Sequence, residues 1–220
     1  MLNELDRTVK YLEELNNYDE KQRLLAAYCL NENDIQKLKE DINRIEADDF
    51  ETPTEKGHAL ESLAKSILSL KNIFHVDTNL HTSTNEVDLL LKIKPGTNLI
   101  IKTFYPNLAN LEFIGECKNY QKKIDVTWIG KVHSLLCLHK FDVCLLFSRY
   151  GFTGRKWDAG KGLARKIALK ENKYVIDINF NDLEKLTKMS IIELINNKYY
   201  DIIHDIDYAN YLSKHPAEFK

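Results

Sequence analysis

Apolar residues along the first part of the chain follow a helical period. Within residues 2–47 they recur at steps of three and four, and neither glycine nor proline interrupts them, which predicts helices. The segment 47–57 breaks this period with acidic residues, threonines and Pro53. We therefore predict a helical N-terminal segment, residues 1–50, ahead of a differently organised remainder.

The remainder alternates between helix and strand patterns. Helical patterns, with apolar residues on one face, occupy 54–70, 126–140 and 159–172. Short apolar runs typical of strands occupy 72–81, 86–93, 111–120, 141–150 and 173–178. A turn signal at 95–98 precedes a further apolar run, 99–105.

This order of elements predicts an α/β fold. The core is expected to be a mixed central β-sheet flanked by helices, in which 173–178 is the final central strand. The predicted layout is a helical segment at 1–50, the core at 51–180 and a helical, tyrosine-rich extension at 181–220.

Charge is unevenly distributed over the 220 residues, although the formal net charge is only −2. The first 50 residues hold 13 acidic and 7 basic side chains, whereas 149–166 holds six basic and one acidic. A uniformly basic nucleic-acid coat is excluded, but a local basic patch is not. The N-terminus is charged from its fourth residue and no apolar run approaches ~20 residues, so we expect a cytoplasmic protein without a membrane segment.

The four cysteines lie within apolar stretches and form no C-x-x-C pair, so we expect them to be buried free thiols in a reducing compartment. Zinc ligation is not expected, because neither cysteines nor histidines are seen to cluster at the spacing of zinc ligands.

Two charged side chains end the apolar run at 111–120. Residues i and i+2 of a strand share a face, so Glu116 and Lys118 project together while Cys117 points to the other side. Asp88 interrupts another predicted strand, where a carboxylate must be solvated, paired or metal-bound. Two carboxylates at adjacent strand ends suit Mg²⁺, and a lysine beside them can orient or deprotonate a water or neutralise a phosphate.

A structural ion pair explains the same three residues more simply. Lys118 paired with Glu116 or Asp88 on a water-exposed strand end needs no function, and a motif this short is common. Glu86 precedes Asp88 by two residues and is the alternative carboxylate to face the site. The residues alone do not decide between a metal site and a structural ion pair, or between Asp88 and Glu86 as the carboxylate that faces the site.

The order of these motifs resembles the PD-(D/E)xK restriction-endonuclease-like superfamily, most closely its Mrr-like branch of type IV restriction nucleases. A helix carrying Glu61 comes first, then a strand carrying Asp88, then a strand carrying Glu116 and Lys118. A helix-then-strand unit over 128–148 follows. The resemblance covers about residues 55–180.

The resemblance implies metal ligation by Asp88 and Glu116, a catalytic role for Lys118, and Glu61 facing the site from the first helix. The implied cofactor is Mg²⁺, with Mn²⁺ expected to substitute. The chain departs from the family in lacking a glycine shortly before Asp88, and in having a longer segment, 94–112, between the two motif strands.

Basic and aromatic residues are interleaved at 118–123 and 148–157, a mixture that can neutralise phosphates and stack on bases. Such a mixture is commonly a solvated surface, but the first stretch continues directly from the motif strand. The predicted nucleic-acid contacts are Gln121, Lys122, Lys123, Arg149, Arg155 and Lys156.

The resemblance implies a Mg²⁺-dependent DNA endonuclease of the restriction or defence type, a class that often acts as a homodimer. The N-terminal helices are expected to bind a partner protein, to dimerise or to regulate. Two alternatives stay open: a catalytically inactive nuclease-fold protein that binds DNA or assembles with partners, and a nuclease directed at RNA.

Overall fold

The structure is a computed structural model that describes residues 6–7, 9–10, 13, 18–81, 86–154 and 159–204. Within this range the chain is an α/β protein in which helices flank a mixed sheet of five strands, as the sequence predicts. Most of the first helix predicted within 2–47, and the last part of the C-terminal extension, 205–220, lie outside the described residues.

Helices α1, α2 and α3 precede the sheet and span Tyr18–Ala26, Glu32–Ala47 and Pro53–Ser69. Helix α2 ends at Asp48, whose backbone is left-handed with a φ of 57°. Helix α3 begins after Thr52, which caps its N-terminus, and Pro53 takes the first helical position, where its missing N–H has no cost. The connection between α2 and α3, residues 48–52, lies within the interruption predicted at 47–57, and residues 53–57 already belong to α3.

Helix α2 packs onto the core rather than standing apart from it. Leu38, Ile42 and Ile45 belong to the same buried cluster as Leu60 and Leu63 of α3. The described part of the N-terminal segment thus shares one hydrophobic core with the predicted nuclease core, and packing continues across residue 50.

The strands are β1 to β5, spanning Phe74–His81, Glu86–Ile93, Phe113–Lys118, Val143–Ser148 and Tyr174–Asn179. Their order in the sheet follows the chain: β1, β2 and β3 are antiparallel neighbours, and β3, β4 and β5 are parallel neighbours.

Strand β5 lies at an edge of the sheet, so its predicted central position is wrong. Its apolar pattern arises because both of its faces are covered, not because strands flank it on both sides. Helix α8, Ile191–Ile203, packs against it, with the rings of Tyr174 and Tyr199 4.6 Å apart between centroids.

The segment 94–112 contains a helix where a turn and an apolar strand-like run were expected. Helix α4, Pro95–Phe104, begins with proline in its first turn, so the Pro-Gly pair starts a helix and not a turn. Ile101 is buried and Leu99 exposed, which is a helical pattern. This helix accounts for the length of the connection between β2 and β3.

The two faces of the sheet have separate cores. Helix α3 packs on the face that carries Phe113, Leu145 and Ile176. Helices α5, Val126–His139, and α6, Gly160–Glu171, cover the face that carries Ile114 and Leu146. The short helix α7, Phe180–Glu184, follows β5 directly.

Gly115, in the middle of β3, has no room for a side chain. A Cβ there would lie 2.9 Å from Leu89 Cδ1 and 3.1 Å from Leu89 Cβ, and Leu89 is fully buried. We predict that Gly115→Ala lowers the free energy of unfolding by about 1–3 kcal/mol in urea denaturation. Gly130→Ala is the control, because a Cβ on that helical glycine meets nothing within 4 Å. It should leave stability unchanged or raise it by up to about 1 kcal/mol. Equal effects of the two substitutions would contradict this packing.

Candidate active site

Strands β2 and β3 bring the two predicted carboxylates side by side. The strands pair antiparallel with Leu89 opposite Gly115. Continuing this register by one residue places Asp88 opposite Glu116, and directly opposed residues of antiparallel strands share a face. Lys118 follows two residues later on that face, at the end of β3.

Lys118 is the centre of the resulting cluster. Its Nζ lies 2.5 Å from Glu116 Oε1 and 3.5 Å from Asp88 Oδ2, and it donates to the carbonyl oxygen of Cys117 at 3.0 Å. The backbone N–H of Cys117 donates to Asp88 Oδ2 at 2.8 Å, which fixes that carboxylate. The structure therefore brings Asp88, Glu116 and Lys118 together, with their side chains 12–16% exposed.

Trp128, in the first turn of α5, covers this cluster. Lys118 Nζ lies 5.0 Å and Lys131 Nζ 4.4 Å from the centre of the indole, and the ring of Tyr120 lies 5.6 Å away. Both ammonium groups therefore lie at cation–π distance from the indole ring. The sequence indicated Trp128 only as part of a buried helix face. Its position in the sequence could have indicated this role, because Trp128 lies three residues after Asp125. Asp125 caps the N-terminus of the helix that follows the motif strand.

Burial raises the pKa of Glu116 to about 7. The ammonium of Lys118 opposes this effect, whereas the negative charges of Asp88 and Glu61 add to it. Burial also disfavours the charged form of Lys118, but Glu116 and Asp88 outweigh it and raise the pKa of Lys118 above its usual value. Near pH 7, Lys118 is therefore protonated, and Glu116 takes up a proton more readily than a glutamate in water does.

Glu116 Oε2 is the atom at this site that suits a cation. It is buried and has no hydrogen-bond partner among the described residues. A buried carboxylate oxygen left unpaired costs free energy unless a proton, a water or a cation meets it. Asp88 supplies a second carboxylate beside it, and carboxylate oxygens are the ligands that Mg²⁺ prefers. Asp88 and Glu116 therefore fit a divalent cation.

Glu61 approaches the site from α3. Its Oε2 lies 3.1 Å from His58 Nδ1, and its charge contributes to the raised pKa of Glu116. Asn119 donates from Nδ2 to the backbone oxygen of Lys56 at 2.6 Å, which fixes the start of α3 against the end of β3. That contact holds Glu61 in reach of the site.

A cleft of about 600 Å³ opens where α3 meets the end of β3. Its walls include Glu61 from the helix, and Lys118, Tyr120 and Gln121 from the strand end and the loop after it. Lys118 thus borders both the carboxylate cluster and an opening to solvent.

Asp48, at the C-terminal cap of α2, forms part of the cleft wall and was missed from the sequence. Its carboxylate lies 2.6 Å from Lys56 Nζ, accepts from Gln121 Nε2 at 2.7 Å, and lies 3.3 Å from Arg149 Nη2. Hydrogen bonds from Lys56 and Gln121 lower the pKa of Asp48. The acid-rich segment 47–57 indicated a turn but gave no partner for this side chain.

Asp48 changes the interpretation of two predicted nucleic-acid contacts. The side chain of Arg149 is 2% exposed and faces Asp48, so the predicted phosphate contact is not supported: the arginine lies in the interior just after β4. Gln121 lines the cleft, but its Nε2 donates to Asp48 and its Oε1 accepts from Tyr150 at 3.1 Å. Its amide is committed to holding the loop in place.

Lys122 and Lys123 remain predicted phosphate contacts, and Lys122 Nζ lies 4.0 Å from Asp125 Oδ2. Both are exposed in the loop that continues from β3, and the side chain of Lys122 is 72% exposed. The remaining predicted contacts, Arg155 and Lys156, lie outside the described residues. Glu86, the alternative to Asp88, is the first residue of β2 and pairs with His81 of β1.

The four cysteines are free, but they are not uniformly buried as predicted. Cys117 and Cys144 are buried, Cys29 is half-buried and Cys137 is exposed, because Cys137 lies on the outer side of α5. The sequence showed no cluster of cysteines or histidines at ligand spacing, but the structure brings one of each together with a glutamate. His133 lies one helical turn before Cys137, and both meet Glu171 at the end of α6.

Comparison of the chain with protein-family models, with curated proteins and with solved structures finds no match in any of the three. The family resemblance therefore stays a prediction based on motif order. In the described ranges, no helix is both long enough and apolar enough to cross a membrane.

Because the pKa of Glu116 is raised, we predict that the free energy of unfolding of the metal-free protein falls as pH rises. The protonated form is favoured by folding, so its contribution to stability is fully present near pH 4 and is lost as pH rises through about 7. In the presence of a chelator, Glu116→Gln should raise the free energy of unfolding by on the order of 1–3 kcal/mol at pH 8 and have little effect at pH 5.

Denaturation of the wild type and the variant at both pH values measures this difference, and the histidines present in both proteins cancel in the comparison. Destabilisation by Glu116→Gln at pH 8 would show that the ionised carboxylate is well stabilised by its neighbours and would contradict the electrostatics described above.

Proposed function

We propose that this protein is a divalent-metal-dependent phosphodiesterase that cleaves DNA, with a restriction-endonuclease-like core. The unpartnered, buried Oε2 of Glu116 carries the proposal, because it lies in a cluster that already holds Asp88 and Lys118. The order of strands and helices and the motif order in the sequence support the same class.

Asp88 and Glu116 would hold the cation, and Glu61 would lie close enough to act on it through water. A divalent ion held there would supply positive charge near a phosphate and would lower the pKa of a bound water. Mg²⁺ is proposed as the physiological ion because the ligands are carboxylate oxygens.

Lys118 is the proposed catalytic residue of the chain itself. Its ammonium stays protonated at neutral pH because Glu116 and Asp88 raise its pKa, so it acts as a hydrogen-bond donor and a positive charge. With a cation held by Asp88 and Glu116, the Lys118 ammonium would be free to donate to a phosphate oxygen or to the attacking water. Trp128 limits the directions in which this side chain can turn.

The substrate would approach through the cleft between α3 and the loop after β3. Lys122 and Lys123 extend from that loop into solvent and would contact the phosphate backbone on either side of the cleaved bond. The DNA contact would thus lie on one loop and not on an extended basic face, which agrees with the net charge of −2.

One observation favours a second candidate, a nuclease-fold protein that binds nucleic acid without cleaving it. Lys118 already contacts Glu116, Asp88 and the backbone of Cys117, which is also the geometry of a stable ion pair. The two candidates differ in whether cleavage requires these side chains.

Cleavage of plasmid DNA in Mg²⁺ or Mn²⁺ tests the proposal directly. The wild type should nick or linearise the plasmid, and a chelator should stop it. Lys118→Ala and Asp88→Asn should each lower the rate by about 100-fold or more, because they remove a transition-state donor and a metal ligand. The matched controls are Lys102→Ala on α4 and Asp77→Asn on β1, which lie outside the cleft and should cleave normally.

A wild type that binds DNA yet leaves it intact with either ion would establish the second candidate. Cleavage of labelled RNA but not DNA would correct the substrate. Equal activity of Lys118→Ala and Lys102→Ala would place the reaction elsewhere in the chain.

The loop lysines give a prediction that is separate from catalysis. Each lysine that neutralises a phosphate contributes about one to the slope of log affinity against log salt. In Ca²⁺, which we expect to support binding without cleavage, Lys122→Ala and Lys123→Ala should each weaken DNA binding and lower that slope by about 0.9. Lys102→Ala should leave the slope unchanged, and a slope that stays the same in all three variants would move the DNA away from this loop.

A further inference from the structure

A second group of potential ligands lies on the outer side of the helical layer that covers β3. His133 and Cys137 are one turn apart on α5, and Glu171 is the last residue of α6. Trp128, at the proposed catalytic site, lies five and nine residues before them, so this group is about 8–14 Å further along the helix axis.

The three side chains converge on one atom. His133 Nε2 lies 2.7 Å from Glu171 Oε2 and 3.3 Å from Cys137 Sγ, and the three donor atoms all lie within 4.8 Å of one another. A ring nitrogen carries at most one hydrogen, so Nε2 cannot donate to both neighbours at once. A single cation among the three atoms would contact all of them together.

We propose that His133, Cys137 and Glu171 form a zinc site, with water as the fourth ligand. Imidazole, thiolate and carboxylate are the three ligand types that Zn²⁺ takes in proteins, whereas a thiolate disfavours Mg²⁺. The thiol of Cys137 is exposed, so it can lose its proton to the solvent when the metal binds.

Two of the three ligand pairs need only a small adjustment, whereas the ligand atoms of Cys137 and Glu171 lie within 4.8 Å of each other and must come to about 3.5 Å. Bond lengths of about 2.0–2.3 Å in a tetrahedral site place the ligand atoms about 3.4–3.6 Å apart. The histidine–glutamate contact must therefore open by about 0.6 Å and the histidine–cysteine contact by about 0.3 Å. Glu171 has the freedom to move because it ends its helix and its side chain is 48% exposed, whereas His133, at 24%, is held in place.

The site would join α5 to α6 across the face of the sheet that carries Glu116. These helices otherwise meet through buried apolar residues such as Val132 and Ile167. A metal bond between their outer surfaces fixes their spacing, so zinc binding should stabilise the fold. This site is independent of the proposed cleavage site and shares no residue with it.

The test uses full-length protein stripped of metal, in the background Asp88→Asn with Glu116→Gln so that the other carboxylate site cannot bind the metal. Calorimetric titration with Zn²⁺ should show one bound ion per chain and a raised melting temperature. Titration with Co²⁺ should give the intense visible absorption of a tetrahedral site together with a thiolate-to-metal charge-transfer band.

Cys137→Ser should abolish the charge-transfer band, and His133→Ala should lower zinc affinity by at least about 100-fold. Cys29→Ser, which removes another free thiol, should bind zinc and cobalt as the parent does. The proposal is overturned if the parent binds no zinc, if cobalt gives no charge-transfer band, or if Cys137→Ser and Cys29→Ser behave alike. Circular dichroism of each variant checks that it is folded.

Discussion

The burial of a carboxylate, Glu116, at the end of the central strand β3 is the constraint on which the candidate site depends. The chain places this group where water is largely excluded and then surrounds it with charges of both signs, Lys118 on one side and Asp88 on the other. Without these neighbours the position would favour an apolar residue. The two carboxylates keep the Lys118 ammonium charged despite its burial, and Glu116 Oε2 is left without a hydrogen-bond partner among the described residues.

The surrounding fold explains how such a cluster is held. The antiparallel register of β2 and β3 sets Asp88 against Glu116, and Asn119 fixes the start of α3 so that Glu61 comes within reach. Trp128 closes the opposite side from α5. Each of these elements also packs in a core, so the site is built on well-packed parts of the molecule, and the loop after β3 reaches into solvent.

The sequence predicted the features that depend on the local spacing of apolar and polar residues. It did not predict those that depend on contacts between residues far apart in the chain. Strand alternation placed Glu116 and Lys118 on one face, and the structure adds the register that brings Asp88 to them. Nothing local shows that Asp48 meets Arg149 across about a hundred residues, so the arginine was read as a surface cation. A continuous apolar run shows that both faces of a strand are covered, but it does not show where the strand lies in the sheet. The predicted central position of β5 was therefore wrong.

The same limit applies to the helix carrying His133 and Cys137. Their four-residue spacing was visible in the sequence, but their partner Glu171 lies on another helix.

The central claim is that Asp88 and Glu116 hold a divalent cation beside Lys118. A crystal soaked in Mn²⁺ tests it most directly through the anomalous difference map. The account predicts a peak within bonding distance of both carboxylates, near Glu116 Oε2. A bound Mn²⁺ away from both residues, with the Lys118–Glu116 contact intact, would contradict it.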